Sequence, residues 1–165
     1  MKSRTAIFET SRTRESSGTF RPRLVFSRED EIGSEARISG KPSIMIVEDD
    51  YLIALDVEAG LKEAGFVLAG IAITADAAIT IARSARPAIA LMDIRLLGRR
   101  DGIDAALELY RDYGIRCIFA TAHADPDVKL RAEAARPLGW VQKPYSTAML
   151  IEAIRKGFQE LGEKG

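Results

Sequence analysis

This sequence is poor in several features that would define other kinds of protein. It has one cysteine, Cys117, inside the apolar run CIFA. One thiol excludes an intrachain disulfide and a cysteine-based zinc site, and it fits a reducing compartment. A lone cysteine among apolar neighbours reads as a small hydrophobe. There is also one histidine, His123, which excludes a histidine-rich metal site. No apolar stretch approaches the ~18 residues that a membrane span needs. The first 23 residues lack the continuous apolar segment of a secretory signal. Their Ser, Thr and Arg faintly resemble an organellar transit peptide, but Glu9 and Glu15 interrupt that pattern. Net charge is absent too. With 24 basic and 24 acidic side chains, the whole chain carries no strong field toward nucleic acid or a membrane surface. A cytoplasmic location is expected.

The 165 residues, 47% apolar and 29% charged, suffice for one domain with a real core. Residues 1–41 differ from the rest, with nine Lys/Arg against six Asp/Glu, scattered Ser, Thr and Gly, and little periodicity. Such a segment cannot bury enough apolar surface to offset its ordering entropy. It is read as a disordered N-terminal extension, with residues 42–165 forming the folded domain. A docking or nucleic-acid arm is the functional alternative, and the small charge excess gives it little support.

From Pro42 the pattern becomes regular. Ile44–Val47 is an aliphatic strand followed at once by Glu48, Asp49 and Asp50. Apolar residues at 52, 53, 55, 57 and 61 predict a helix over 51–64 with a broad apolar stripe, ended by Gly65. Residues 66–73 read as a second strand, with Gly70 marking an edge or a bulge. Thr74 or Asp76 can cap a helix to about Ala85, and Pro87 stops it. Residues 88–93, AIALMD, form a third strand whose lack of alternation predicts burial on both faces. A loop, LLGRRDG, leads to a helix over 103–113 that Gly114 ends. Residues 116–121 are the fourth strand. Asp125 and Pro126 open a helix of about ten residues. Residues 139–142 are the fifth strand, and Ser146 caps a last helix to about Leu161. Five alternations with short connections mean βαβ units and a parallel sheet covered on both faces.

The polar residues fall at strand ends. Strand one ends in Glu48 and Asp49, strand three in Asp93, strand four in Thr121, and strand five in Lys143 before Pro144. Ligands of open α/β sheets bind beyond the carboxyl ends of the strands, where strand order reverses. If strands one and three are neighbours there, three carboxylates converge. They would raise one another's pKa unless a hard cation such as Mg²⁺ sat among them. A lysine and a hydroxyl beside such a cluster make a site for a phosphoryl group. Each element alone has a plain reading: an acidic pair can cap a helix, and Lys-Pro can be a turn.

Taken together, IMIVEDD, LMDIRL, FATA and WVQKP, with DGIDAAL after the acceptor loop, resemble the receiver domain of two-component response regulators. The resemblance runs from about Ile44 to Leu161. It implies a doubly wound α/β fold, a five-stranded parallel sheet in the flavodoxin-like order 2-1-3-4-5 with helices on both faces. It implies Asp93 as the carboxylate that accepts a phosphoryl group from a phosphohistidine of a sensor kinase or phosphotransfer protein. Mg²⁺ would be held by Asp49, Asp93 and the backbone carbonyl of Arg95, with Glu48 acting through water. Lys143, before a proline that is cis in the family, would pair with the phosphoryl oxygens, and Thr121 would move to hold one of them. Trp140 stands at the switch-aromatic position, where a plain rim aromatic is the alternative. Arg95 and His123, two residues after Asp93 and Thr121, would flank the phosphoryl group and tune its hydrolysis.

Arg99 and Arg100 make the acceptor loop basic, either as a solvated loop or as a contact for an acidic partner. The chain ends soon after the last helix, so a stand-alone receiver without a DNA-binding domain is expected. Its output would be a protein contact through helix four, strand five and helix five, or the draining or relay of phosphoryl groups. It would not be a turnover enzyme. Two other readings use the same residues. One is a receiver-fold binding module indifferent to phosphorylation, against which the intact set of five site residues argues. The other is a Mg²⁺-dependent phosphohydrolase of the haloacid-dehalogenase kind. That chemistry needs a second aspartate two residues after Asp93, where this chain has Arg95.

Overall fold

This computed structural model describes residues 41–122 and 124–162. The predicted N-terminal extension (except Lys41) and His123 lie outside them. Strands β1 (Ser43–Val47), β2 (Val67–Ala72), β3 (Ile89–Met92), β4 (Arg116–Thr121) and β5 (Gly139–Gln142) alternate with helices. The helices are α1 (Tyr51–Glu63), α2 (Ala75–Ala85), α3 (Gly102–Tyr113), α4 (Pro126–Ala132) and α5 (Thr147–Gly162). The strands form one sheet in the order β2-β1-β3-β4-β5, all pairs parallel. Strand order therefore reverses between β1 and β3, the neighbours that carry the acidic residues.

The non-alternating strands are buried on both faces, as their composition predicts. Ile44, Met45, Ile46 and Val47 are all at most 1% exposed. Ile44 and Ile46 join Leu91, Ile118 and Val141 in a core under α1 and α5. Met45 and Val47 join Met92, Cys117 and Phe119 in a second core under α2 and α3. Cys117 is fully buried, and burial pushes its thiol up to about 12, which keeps it an unreactive hydrophobe.

Local signals set most boundaries. Asp50 accepts from the Leu52 and Ile53 amides at 2.9 and 3.2 Å and so starts α1, and Thr74 accepts from the Ala77 amide at 3.1 Å to start α2. Gly114 ends α3 at φ 68°, where a Cβ would be strained. β2 is an edge strand, and the register between β1 and β2 shifts near Gly70, which has φ 153°. Helix α4 is shorter than expected, because its last turn tightens into a 3-10 turn over Glu133–Ala135.

One expectation needs correction. The apolar stripe of α1 does not all face the sheet. Ala54, Val57 and Leu61 are buried, while Leu52 is 76% exposed and Ile53 and Leu55 lie partly outward. Residues 54, 57 and 61 recur at helical spacing, and the small Ala54 takes an inward position in the core. The larger residues at 52 and 55 lie on the outward side.

Candidate functional site

Backbone hydrogen bonds carry the ladder one step past the strands and bring the polar residues to one level. The Asp93 amide donates to Val47 O at 2.8 Å, the Glu48 amide to Ala72 O at 2.9 Å, and the Lys143 amide to Thr121 O at 2.9 Å. The first of these fixes Asp93 directly beside the end of β1. Carboxylate oxygens of Glu48, Asp49 and Asp93 then lie within 4.8 Å of one another. Glu48, Asp93 and Thr121 are buried, at 5, 9 and 3% exposure.

Lys143 reaches into this group across the sheet. Its Nζ donates to Asp93 Oδ2 and to Glu48 Oε2, each at 2.6 Å. The Lys143–Pro144 peptide bond is cis. Glu48 Oε1 also accepts from the Asp50 amide at 3.2 Å, and Asp93 Oδ1 accepts from the Arg95 amide at 3.3 Å. Burial holds the Glu48 carboxyl above its ordinary range, and the Asp93 charge adds to this against the pull of Lys143. Burial works to lower the Lys143 ammonium, but its hydrogen bonds and charge contacts with Asp93 and Glu48 outweigh that and leave it raised.

Among the described residues one ammonium, paired with Glu48 and Asp93, serves a group of three carboxylates, so positive charge is short there. The donor set is all oxygen, compact and partly open, which suits a small hard dication that keeps some of its waters. Glu48, Asp49 and Asp93 would hold it. Arg95 has its side chain in solvent and its amide on Asp93, so its main chain is beside the group.

Trp140 is half-buried. Its indole stacks on Phe119, with centroids 4.6 Å apart and an interplanar angle of 22°, and Lys129 of α4 lies 5.8 Å above the ring. Phe119 precedes Thr121 by two residues on β4 and so shares its side of the strand. The two loop arginines part company. Arg100 bonds Asp76 of α2, Glu108 of α3 and the Asp104 carbonyl, whereas Arg99 is exposed. The structure thus brings together Glu48, Asp49, Asp93 and Lys143, with Thr121 on the adjoining strand end.

Two residues that sequence reasoning missed belong to the surroundings. Tyr145 is half-buried beside Lys143. Burial raises its hydroxyl, with Glu48, Asp93 and Asp56 adding and Lys143 opposing. Only its place directly after Lys-Pro could have pointed to it. Asp101 caps α3 in a reciprocal box with Asp104 and also receives Arg131 of α4 at 2.8 Å. The cap is readable from sequence; the ion pair across 30 residues is not.

A doubly wound α/β domain with its polar groups gathered at the carboxyl edge, beside the strand reversal, is a class that binds ligands at that place. Within it the chain belongs to the response regulator receiver domain family, whose model matches residues 44–155. It is 36% identical over 126 residues to the phyllosphere-induced regulator PhyR of Methylorubrum extorquens, covering 76% of this chain and 46% of that protein. It is 34% identical over 111 residues to the transcriptional regulatory protein PdtaR of Mycobacterium tuberculosis, covering 67% of this chain and 54% of that one. The signal receiver domain of a modulated diguanylate cyclase from Desulfovibrio desulfuricans superposes with TM-score 0.71 at 29% identity, over 76% of this chain and all of that one. The chain spans about half the length of the curated relatives it matches. No helix among the described residues is long and apolar enough to cross a membrane.

Proposed function

We propose that Asp93 is the phosphoacceptor of a two-component signalling step. The observation that carries this reading is the meeting of Asp93 Oδ2 with Lys143 Nζ at 2.6 Å, inside a carboxylate trio that spans 4.8 Å. An Asp93 oxygen attacks the phosphorus of a phosphohistidine. An O–P bond forms, the N–P bond breaks, and the imidazole leaves with the electron pair. Asp49, Asp93 and the Arg95 carbonyl, with Glu48 through water, would hold Mg²⁺, which would supply charge neutralisation for the phosphoryl oxygens. Lys143 transfers its hydrogen bond from Asp93 to a phosphoryl oxygen, Thr121 donates its hydroxyl to another, and Trp140 follows Thr121. Arg95 borders the bound group and sets how water reaches it. The protein then accepts and loses phosphoryl groups without turning over a small substrate.

The donor is a sensor histidine kinase or a histidine phosphotransfer protein. Tyr51, Leu52 and Leu55 support this, since they expose apolar surface on the first turns of α1, next to the pocket. Output passes through the face of α4, β5 and α5. There a groove of about 300 Å³ is lined by Trp140, Val141, Met149 and Ala153. The receiver unit is assigned to residues 42–165 and an N-terminal extension to residues 1–41, and the protein acts in the cytoplasm as a relay or sink for phosphoryl groups.

Intact mass measured after incubation with acetyl phosphate, or with a phosphorylated kinase, tests the reading. One Mg²⁺-dependent phosphoryl adduct is expected, absent in Asp93→Ala. No adduct from either donor would favour a binding module indifferent to phosphorylation. Multiple turnover of a phosphate ester would favour a phosphohydrolase.

A further inference from the structure

Gly102, the first residue of α3, lies against the main chain of Asp93. A Cβ built on it would sit 1.9 Å from the Asp93 carbonyl oxygen, 2.9 Å from the carbonyl carbon and 3.0 Å from Ile94 Cα. These are backbone atoms, so no rotamer change relieves the clash. Real Cβ contacts essentially never fall under 3.0 Å, so Asp93 and α3 would have to part by about 1 Å. The Gly102 amide also donates to Ile94 O at 2.8 Å, closing the loop after Asp93 back on itself. The Asp93 amide is held from the other side by Val47 O at 2.8 Å. The nucleophile's main chain is therefore gripped between β1 and the start of α3. Its carboxylate direction toward Lys143 follows from both grips.

We propose that Gly102 is a positioning residue for Asp93: its missing side chain lets α3 seat the Asp93 carbonyl and so aims the carboxylate. This rests on the phosphoacceptor reading and adds a requirement to it. The seat is itself anchored, because Asp101 Oδ1 accepts from the Ile103 and Asp104 amides at 2.9 Å each and fixes the first turn of α3.

The test compares Gly102→Ala with Gly157→Ala in the full chain. The atoms nearest a Cβ at Gly157 would be side-chain tips, Ile89 Cδ1 at 3.2 Å and Ile118 and Leu138 Cδ1 at 3.3 Å, in the core under α5. Three quantities are read: the urea midpoint, the Mg²⁺ midpoint by calorimetry, and the acetyl phosphate labelling rate at saturating Mg²⁺. Folded Gly102→Ala is expected to label about 10²-fold more slowly, the scale of a 1 Å misplacement, and to need more Mg²⁺. Gly157→Ala is expected to shift the urea midpoint alone. Wild-type labelling and Mg²⁺ midpoint in folded Gly102→Ala would overturn the proposal. If that variant does not fold, Asp101→Ala decides. A slower rate in the folded protein supports the seat, and an unchanged rate overturns it. If wild type itself takes no phosphoryl group, the phosphoacceptor reading fails, and the Mg²⁺ midpoints still decide the role of Gly102.

Discussion

The Trp140 indole lies flat on Phe119, two residues before Thr121 on the neighbouring strand, with 4.6 Å between ring centroids. Stacking of this kind holds a ring more firmly than area burial alone. Trp140 is the only tryptophan in the chain, so its emission reports this one position. Acetyl phosphate with Mg²⁺ is expected to change the emission of wild type and to leave that of Asp93→Ala unchanged. Thr121→Ala is expected to accept the phosphoryl group, by intact mass, without the emission change. A wild-type emission change in Thr121→Ala would show that Trp140 does not follow Thr121.

Lys143 is the sole cation seen on the buried Asp93 and Glu48 carboxylates among the described residues. Removing it leaves two charges facing each other in a site that is mostly closed. Breaking a fully buried pair is costly, but Lys143 is 19% exposed, so solvent screening reduces that cost. Lys143→Ala is therefore expected to lose about 1–3 kcal/mol in urea unfolding without metal. Mg²⁺ no longer competes with an ammonium in this variant, so it should bind more tightly and recover part of the loss. The emission response to phosphorylation should disappear. Weaker Mg²⁺ binding in Lys143→Ala would contradict this account of the pocket's charge.

The fold was legible where single residues act locally. IMIV announces an aliphatic strand and AIALMD one buried on both faces, and Gly65, Gly114 and Pro126 mark helix ends through backbone geometry alone. The strand-end acids and Lys143 were legible as well, since position along a strand fixes which edge they reach. Strand order was not readable from periodicity and came only through family resemblance, because it depends on contacts across the whole chain. The outward half of α1 misled for a related reason: Ala54 packs against the sheet, and an alanine gives little hydrophobic signal. Arg100 read as part of a solvated loop or a partner contact until the fold placed Asp76 of α2 and Glu108 of α3 beside it.

The raised carboxyl of Glu48 gives the site a pH signature. Its folded pKa lies above the ordinary 4.5, chiefly through burial. A group raised on folding contributes stability that is fully present below its unfolded pKa and is lost as pH rises through the folded value. Glu48 should therefore support the metal-free fold fully below pH 4.5 and lose that contribution as pH rises through its higher folded value. Lys143, also raised, keeps its contribution below 10.5 and loses it only above its folded value, outside this window. Mg²⁺ needs the ionised carboxylate, so its affinity should rise over the interval in which Glu48 loses its contribution. Glu48→Gln is expected to be more stable than wild type without metal at neutral pH, to show a flatter stability profile on the acid side, and to bind Mg²⁺ more weakly. Urea midpoints across that interval, with and without Mg²⁺, check the sign. A Glu48→Gln protein less stable than wild type without metal would show that its pairing with Lys143 outweighs burial.

Leu52 separates the chemistry of the pocket from recognition of its donor. It is 76% exposed on the first turn of α1, beside Tyr51 at 65%, and it contributes little to either core. Surface substitutions of this kind usually change stability by no more than about 0.5 kcal/mol. Leu52→Asp should therefore unfold at the wild-type urea concentration. Acetyl phosphate needs no docking surface, so its labelling of Asp93 should be unaffected. Transfer from a phosphorylated kinase or phosphotransfer protein should slow about 10-fold or more, the effect of losing at least 1.4 kcal/mol of contact energy. The two donors thus act as controls for each other. Equal slowing with both would mean that the new aspartate disturbs the acidic pocket itself, and undisturbed transfer from the protein donor would place its docking surface away from α1.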